Sequence, residues 1–326
     1  MILVRSPLRL SLGGGGTDLE SYYSKRGGYL VAAAIDKYVY IAMHKTFSNE
    51  WIIKYSDFEN PRSFDNIKHP IFRESLKKYA KFSQGLELTS FADIPGGTGL
   101  GSSSSFVTAL IKGLQHLNLN EMLPSELAEA ACEIEIDTLG EPIGKQDQYI
   151  AAWGGVREFE FHHDGSVDSR PIYSNSDDLV TLANNFVLVY TGSTRSASSI
   201  LSTQKEKSVS NDEEMLNNLD EVKKLGGKFC ELLKAQRFSE YGHLMREHWM
   251  LKKARSPNMT NKIIDEIYDY GLENGATGGK LVGAGGGGFI LFQSDEANYL
   301  RKRLLENGLN VVDFSVSSHG TEVISV

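Results

Sequence analysis

Apolar positions from Ile2 to Leu12 follow a strand-like pattern, and those from Tyr29 to His44, rich in Val, Ile, Tyr and Ala, predict paired strands. Between 66 and 82 the period changes: Ile67, Ile71, Leu76 and Tyr79 share one side of a helix. Leu86 to Asp93 reads as another strand, and Phe106, Leu110, Leu114 and Leu117 then recur at helical spacing. A helix over Pro124 to Thr138 and a strand near Val156 to His162 complete the first half. The polar stretch Tyr173 to Asp178 is the best linker, so we expect one unit over 1–176 and a second over 177–326. The second opens with a strand at Phe186 to Tyr190 and continues through four helical stretches between Ser196 and Asn274. Strands at Lys280 to Val282 and Phe289 to Phe292 flank a glycine loop, and a helix at Glu296 to Glu306 and a strand at Val311 to Val316 end the chain. This mixture predicts a two-domain α+β fold, and no internal repeat relates the halves.

Composition narrows the functions. The chain has 326 residues, 40% hydrophobic, with 34 Lys plus Arg against 42 Asp plus Glu, a formal net charge of −8. Without a basic run, nucleic acid is not an expected partner. The longest apolar stretches, such as Phe186 to Tyr190, fall far short of the roughly 20 residues that span a bilayer, so no membrane association is expected. The first residues, Met1 to Pro7, carry no secretory pattern. Two cysteines, Cys132 and Cys230, make neither a disulfide framework nor a thiolate zinc site, which suits a reducing cytoplasm. A homodimer is left open.

Glycine carries the chemistry. Of 32 glycines, four stand at 13–16, four within 96–101 and seven within 278–288. Gly283 to Gly288 satisfies the dinucleotide pattern G-x-G-x-x-G, but it leads into the strand Phe289-Ile290-Leu291-Phe292, where that motif requires a helix. Gly275 to Lys280 fails the P-loop spacing. The central loop, Pro95-Gly96-Gly97-Thr98-Gly99-Leu100-Gly101-Ser102-Ser103-Ser104-Ser105, runs from a strand into an amphipathic helix. Such a turn offers free N–H groups and the positive end of a helix dipole to a polyphosphate, and its serines suit phosphate oxygens or magnesium. One serine is expected to cap the helix.

Two acids follow. Glu126, Glu129, Glu133 and Asp137 form a solvated stripe on the helix after Pro124, whereas Glu135 shares a face with Cys132, Ala131 and Ala128. A packed acid needs a partner, either a bound cation or a buried Lys or Arg. In the turn-rich stretch Gly140 to Tyr149, Lys145 and Asp147 are candidates for anion contact and proton acceptance, although turns favour Asp for structural reasons too. Arg9 and Asp18 bracket the first glycine run, where Asp18 would take sugar hydroxyls and Arg9 would face phosphate. The histidines match no common zinc spacing.

Three loops in this order resemble the GHMP kinases, the superfamily of galactokinase, homoserine kinase, mevalonate kinase and phosphomevalonate kinase. Pro95 to Ser103 meets the signature P-x-x-x-G-L-G-S-S, and Lys280 to Gly288 looks like the family's C-terminal glycine loop. The resemblance covers nearly the whole chain. It implies a ribosomal protein S5 domain 2-like N-terminal domain, a ferredoxin-like C-terminal domain, and ATP in the cleft between them. By position, Pro95, Gly96, Gly97, Gly99, Leu100, Gly101, Ser102, Ser103 and Ser104 would bind ATP. Ser103 and Glu135 would hold Mg²⁺, Asp147 would lie beside the acceptor hydroxyl, and Arg9 would stabilise the transferring charge. Gly15 and Gly16 replace the Glu-His pair of galactokinases and Leu19 their Tyr, which argues against galactose. The stretches Gly13 to Leu19 and Gly144 to Gln148 look like the branch holding D-glycero-D-manno-heptose 7-phosphate kinases and fucokinases, which phosphorylate an anomeric hydroxyl. The implied acceptor is a small sugar phosphate. Its site would draw on Gly15, Gly16, Thr17, Asp18, Lys145, Gln146, Arg195, Gly285 and Gly286, with Lys252, Lys253 or Arg255 as further phosphate clamps. A fucokinase-like sugar 1-kinase and an inactive sugar-sensing relative are the alternatives.

Overall fold

In the computed structural model, which describes residues 1–82, 84–173, 175–192, 198–210 and 212–325, the chain opens with β1 (Ile2–Gly13), whose Val4, Leu8, Leu10 and Leu12 are buried. A short helix, α1 (Glu20–Arg26), leads into β2 (Gly28–Lys45). This is one long strand where paired strands were expected. Asp36 and Lys37 interrupt the apolar run but form a bulge, at which β1 Pro7 faces Tyr38 and Leu8 faces Ile35. Pro7 has no N–H for the ladder and sits where the ladder breaks.

Strands β3 (Ile52–Lys54) and β4 (Phe58–Glu59), helix α2 (Pro70–Tyr79) and strand β5 (Leu86–Ala92) follow. After them come α3 (Ser102–Leu117), α4 (Pro124–Cys132), α5 (Gln146–Trp153), and the hairpin β6 (Val156–Phe161) and β7 (Val167–Pro171). β2 is the spine of this sheet. One edge pairs with β1; the other pairs first with β6, from Gly28↔Phe161 to Ala33↔Val156, and then with β5, from Val39↔Ala92 to Lys45↔Leu86. α3 lies across β1 and β2 and buries Val107, Leu110, Ile111 and Leu114. The helix expected over Pro124 to Thr138 is regular only as far as Cys132. Glu133–Thr138 forms a π-helical turn, closed by the Leu139 N–H on the Ile134 carbonyl five residues back.

The polar stretch after Tyr173 ends in α6 (Ser176–Asn184), capped by the Asn175 side chain. Then come β8 (Phe186–Tyr190), α7 (Ser198–Val209), α8 (Glu213–Lys234), α9 (Phe238–Ala254), α10 (Lys262–Glu273), β9 (Gly278–Leu281), β10 (Phe289–Gln293), α11 (Ala297–Glu306) and β11 (Asn310–Val312). The strands form an antiparallel sheet in the order β11-β8-β10-β9. The strand expected over Val311 to Val316 is shorter than anticipated, because the chain leaves this sheet after Val312. Val316 bridges Ile35, and β12 (Glu322–Ser325) runs antiparallel to β1, with Arg5 and Glu322 paired at 2.6 Å. A division at 176, which we retain as a proposal, thus separates the two sheets along the chain except that 313–325 return to the first.

The halves meet in a shared core, beside a second cluster that belongs to the C-terminal half. Phe229 on α8 and Tyr241 on α9 are buried with their rings 4.6 Å apart, and the Tyr241 hydroxyl donates to the Leu12 carbonyl at 2.9 Å. That junction brings the ends of β1, α3, α9 and β9 to one place.

Candidate active site

The loops at this junction enclose a cavity of about 370 Å³, of the size that takes a small molecule. One wall is the loop before α3. It is fastened to β1 by the Arg9 N–H on the Leu100 carbonyl at 2.9 Å and by the Ser105 hydroxyl on the Pro7 carbonyl at 2.7 Å. Gly101 precedes the helix in the left-handed region, and no side chain among the described residues caps it, contrary to the expected serine cap. The first N–H groups of α3 are therefore left for a ligand. Gly97, Gly99, Gly101, Ser102, Ser103 and Ser104 line the cavity. Pro95 and Gly96 stand on the exposed outer side of the loop, and Leu100 is buried beneath it.

The serines that do not cap have another partner. Glu135, only 1% exposed, accepts from Ser103, from Ser104 at 2.8 Å and from the Gln148 amide at 2.6 Å, and no ion pair to it forms among the described residues. The packed face read from Ala128, Ala131 and Cys132 is indeed buried. Burial pushes the Glu135 carboxyl up to about 7, against the lowering pull of its three donors and with a further push from Asp147. Raised above the unfolded value of about 4.3, it binds more proton folded than unfolded, so metal-free stability should fall as pH rises from about 4.3 to 7. Glu135→Gln removes that titration. Denaturant unfolding without divalent metal should show the wild type losing about 3–4 kcal/mol relative to the variant between pH 4 and 8; parallel curves would contradict the assignment.

Asp147, in the first turn of α5, faces the same cavity. Arg9 grips it with both branches, Nε to Oδ1 at 2.7 Å and Nη2 to Oδ2 at 2.6 Å, while Gln146 Nε2 donates to Oδ1 at 2.9 Å. Ser11 orients Gln146 by donating to its Oε1 at 2.8 Å. Arg9 also reaches the Gly99 carbonyl, so β1, the glycine loop and α5 are tied at one guanidinium.

The first glycine run contributes Gly15, Gly16 and Asp18 to the lining. Asp18 accepts the N–H groups of Gly16 at 2.9 Å and Gln146 at 3.1 Å, and burial first, then Asp147, raises its carboxyl above the usual range. Thr17 is not at the surface of the cavity: it is buried, and its hydroxyl donates to the Gly14 and Tyr29 carbonyls, which fixes the turn. Lys145 also departs from its expected place. Its ammonium binds Glu129 at 2.8 Å and the Gly165 carbonyl at 2.9 Å, because the acid stripe of α4 lies nearer than the cleft. Gly285 and Gly286 likewise back onto Met259, whose carbonyl accepts the Gly286 N–H at 2.9 Å; Gly283 and Ala284 line the cavity instead. Arg195 lies outside the described residues. Lys253 rests over the Trp249 ring, 5.6 Å from its centroid, whereas Lys252 and Arg255 line the cleft.

Sequence reading missed Ser11, Gln148, Gln204, His248 and Lys280. Only His248 had a usable signal, since it precedes Lys252 and Arg255 by four and seven residues and so shares their helical face.

Comparison with known proteins agrees with this geometry. The N-terminal domain of the GHMP kinases matches residues 68–155 and their C-terminal domain residues 229–309. The chain is 32% identical to the D-glycero-alpha-D-manno-heptose 7-phosphate kinase of Campylobacter jejuni, covering 98% of each. It is 29% identical to the L-fucokinase/L-fucose-1-P guanylyltransferase of Bacteroides fragilis over 98% of this chain, but spans only 38% of that longer protein. The crystal structure of a D-glycero-D-manno-heptose 1-phosphate kinase from Bacteroides thetaiotaomicron shares the fold, with a TM-score of 0.80 at 24% identity over 100% of this chain and 99% of that one. Both domain matches in order, with a full-length relative above 30% identity, establish that the chain belongs to the GHMP kinases, a family of ATP-dependent kinases.

Proposed function

We propose that the chain transfers the γ-phosphoryl group of MgATP to the anomeric hydroxyl of D-glycero-D-manno-heptose 7-phosphate, giving the 1,7-bisphosphate for nucleotide-activated heptose synthesis. The observation that carries this reading is the Arg9–Asp147 pair, held against the glycine loop at the uncapped N-terminus of α3. The full-length identity to the Campylobacter jejuni enzyme supports the heptose 7-phosphate.

The residues fit a hard divalent cation. A buried carboxylate with hydroxyl oxygens beside it and no basic partner among the described residues is an oxygen donor set of the kind Mg²⁺ takes. Ser103 and Glu135 would hold it, and when bound it would neutralise phosphate charge. The phosphates lie along 97–104, where backbone N–H groups and the α3 dipole receive them. Asp147 accepts a hydrogen bond from the acceptor hydroxyl and aims its oxygen at the γ-phosphorus. Arg9 orients Asp147 and offsets the charge on the moving phosphoryl. A new oxygen–phosphorus bond forms at the anomeric carbon's oxygen as the bond from the γ-phosphorus to the ADP oxygen breaks, and the hydroxyl proton passes to the Asp147 carboxylate. None of the described helices is long and apolar enough to cross a membrane, and ATP with a sugar phosphate suits a cytoplasmic enzyme.

Coupled ADP release tests the reading across heptose 7-phosphate, the free heptose, mannose, fucose and galactose. Turnover should be at least about tenfold more efficient with heptose 7-phosphate than with any other sugar. Equal or better turnover of fucose would favour a fucokinase-like enzyme, and ATP binding without turnover of any sugar would favour a sensor.

A further inference from the structure

We propose that the α9 side of the cleft is a phosphate site, built from His248, Lys252 and Arg255 with Lys280 beside them, which holds the phosphate ester the acceptor already carries. The proposal deepens the sugar-phosphate reading above and rests on it.

The first observation is a face. His248, Lys252 and Arg255 recur at intervals of four and three along one side of α9 and its end, and Lys280 reaches the same spot from β9. All four line the cavity, yet none is more than 8% exposed. Two carry orphaned polar atoms. Arg255 donates through Nε to Asn218 at 2.9 Å and through Nη1 to the Gly15 carbonyl at 3.2 Å, but its buried Nη2 has no partner among the described residues. His248 Nδ1 faces Lys280 Nζ at 3.2 Å, which leaves Nε2 as a buried donor, also without a partner among the described residues. Lys252 spends its bonds on the Leu281 and Gly283 carbonyls, and Lys280 donates to the Leu12 carbonyl at 2.8 Å.

The second observation is the missing counter-charge. Arg9 has Asp147 and Lys145 has Glu129, but no carboxylate pairs with Lys252, Arg255 or Lys280 among the described residues. Water-excluded cations without a counter-ion are costly, and a dianionic ligand removes that cost. Burial, with added repulsion from Arg255 and Arg9, lowers Lys252 to about 7, and burial lowers Arg255 to about 10 against the opposing pull of Asp18, which lies near it without pairing.

The third observation is Gly16. Its φ is +101°, and a Cβ there would stand 2.7 Å from Arg255 Nη1 and 3.0 Å from Gln204 Nε2. A side chain at this position would displace the guanidinium from the acceptor end of the cleft. Gly16 therefore makes the room that Arg255 occupies, and the Nη2 end of the guanidinium is left to donate to a phosphate oxygen.

The discriminating quantity is the ratio of kcat/KM for heptose 7-phosphate to that for the free heptose. Arg255→Gln should lower this ratio by about 10- to 100-fold, with the ATP KM changing far less, and Arg255→Lys should recover part of it. Loss of efficiency in equal measure on both sugars, or a rise confined to the ATP KM, would overturn the proposal. The intact wild type gives a second readout: with the nucleotide site saturated by a non-hydrolysable ATP analogue, inorganic phosphate should bind by calorimetry. Binding absent from the wild type, or undiminished in Arg255→Gln, would refute the site. This measurement needs no sugar, so phosphate binding without turnover on any sugar would sink the proposed reaction while leaving the phosphate site standing.

Discussion

Asp147→Asn is expected to lower kcat by about 10²- to 10⁴-fold, the range lost with a positioned acid–base group, while nucleotide affinity stays within about threefold. The substitution keeps the shape but replaces one acceptor oxygen with an amide donor. Arg9 presents Nε and Nη2 to the two carboxylate oxygens, so one of these N–H groups would then face another donor. Orientation of the hydroxyl and anchoring of Arg9 would fail together. The loss from Asp147→Asn plus Arg9→Gln should therefore be well below the sum of the single losses. Nucleotide titration by fluorescence alongside single-turnover kinetics checks both parts. Full activity in Asp147→Asn, or strictly additive losses, would mean the pair is a structural ion pair only.

Gly283→Ala should destabilise the chain by about 2–5 kcal/mol and raise the ATP KM at least about tenfold. Gly283 has a φ of +76°, and a Cβ on it would meet the Gly99 carbonyl oxygen at 2.5 Å and the Gly99 Cα at 2.6 Å. Those are backbone atoms of the phosphate loop, so relief of the clash must move the loop itself. Gly308→Ala is the control. Its φ of +74° carries the same backbone penalty with nothing within 4 Å of the added carbon, and its cost should be about 1–2 kcal/mol with no change in ATP KM. Equal costs at the two positions, measured by denaturant unfolding, would show that the contact between the glycine loops is slack.

Much of this architecture can be read along the chain because its cues are local. Periodicity locates α3, the four helices from α7 to α10 and the strand β8, and the glycine and serine composition marks the loop before α3 as a turn into a helix. Glu135 stands out from the solvated acids on α4 because a helical face is a property of spacing alone. The π turn over Glu133–Thr138 escapes such a reading, since apolar spacing over one turn does not distinguish five-residue from four-residue hydrogen bonding. Likewise, Asp36 and Lys37 interrupt an apolar run in a way that fits either a turn or a bulge. The pairing of β2 with β1 on one edge and with β6 and β5 on the other makes it a bulge.

Charge shows the same limit. Residue types and spacing were enough to nominate Arg9, Glu135 and Asp147, whose cues lie in neighbouring positions of the chain, and the resemblance to the GHMP kinases added Ser103. They could not sort Lys145, Lys252, Lys253 and Arg255, four cations of similar promise. In the folded chain Lys145 meets Glu129 and Lys253 meets the Trp249 ring, while Lys252 and Arg255 are enclosed with no carboxylate paired to them among the described residues. A cation's role depends on which distant groups share its low-dielectric surroundings, and that is set by how β1, α9 and β9 converge, through contacts more than 200 residues apart in the chain. Local sequence specifies backbone conformation and polarity; long-range packing specifies which of those polar groups are left for a ligand.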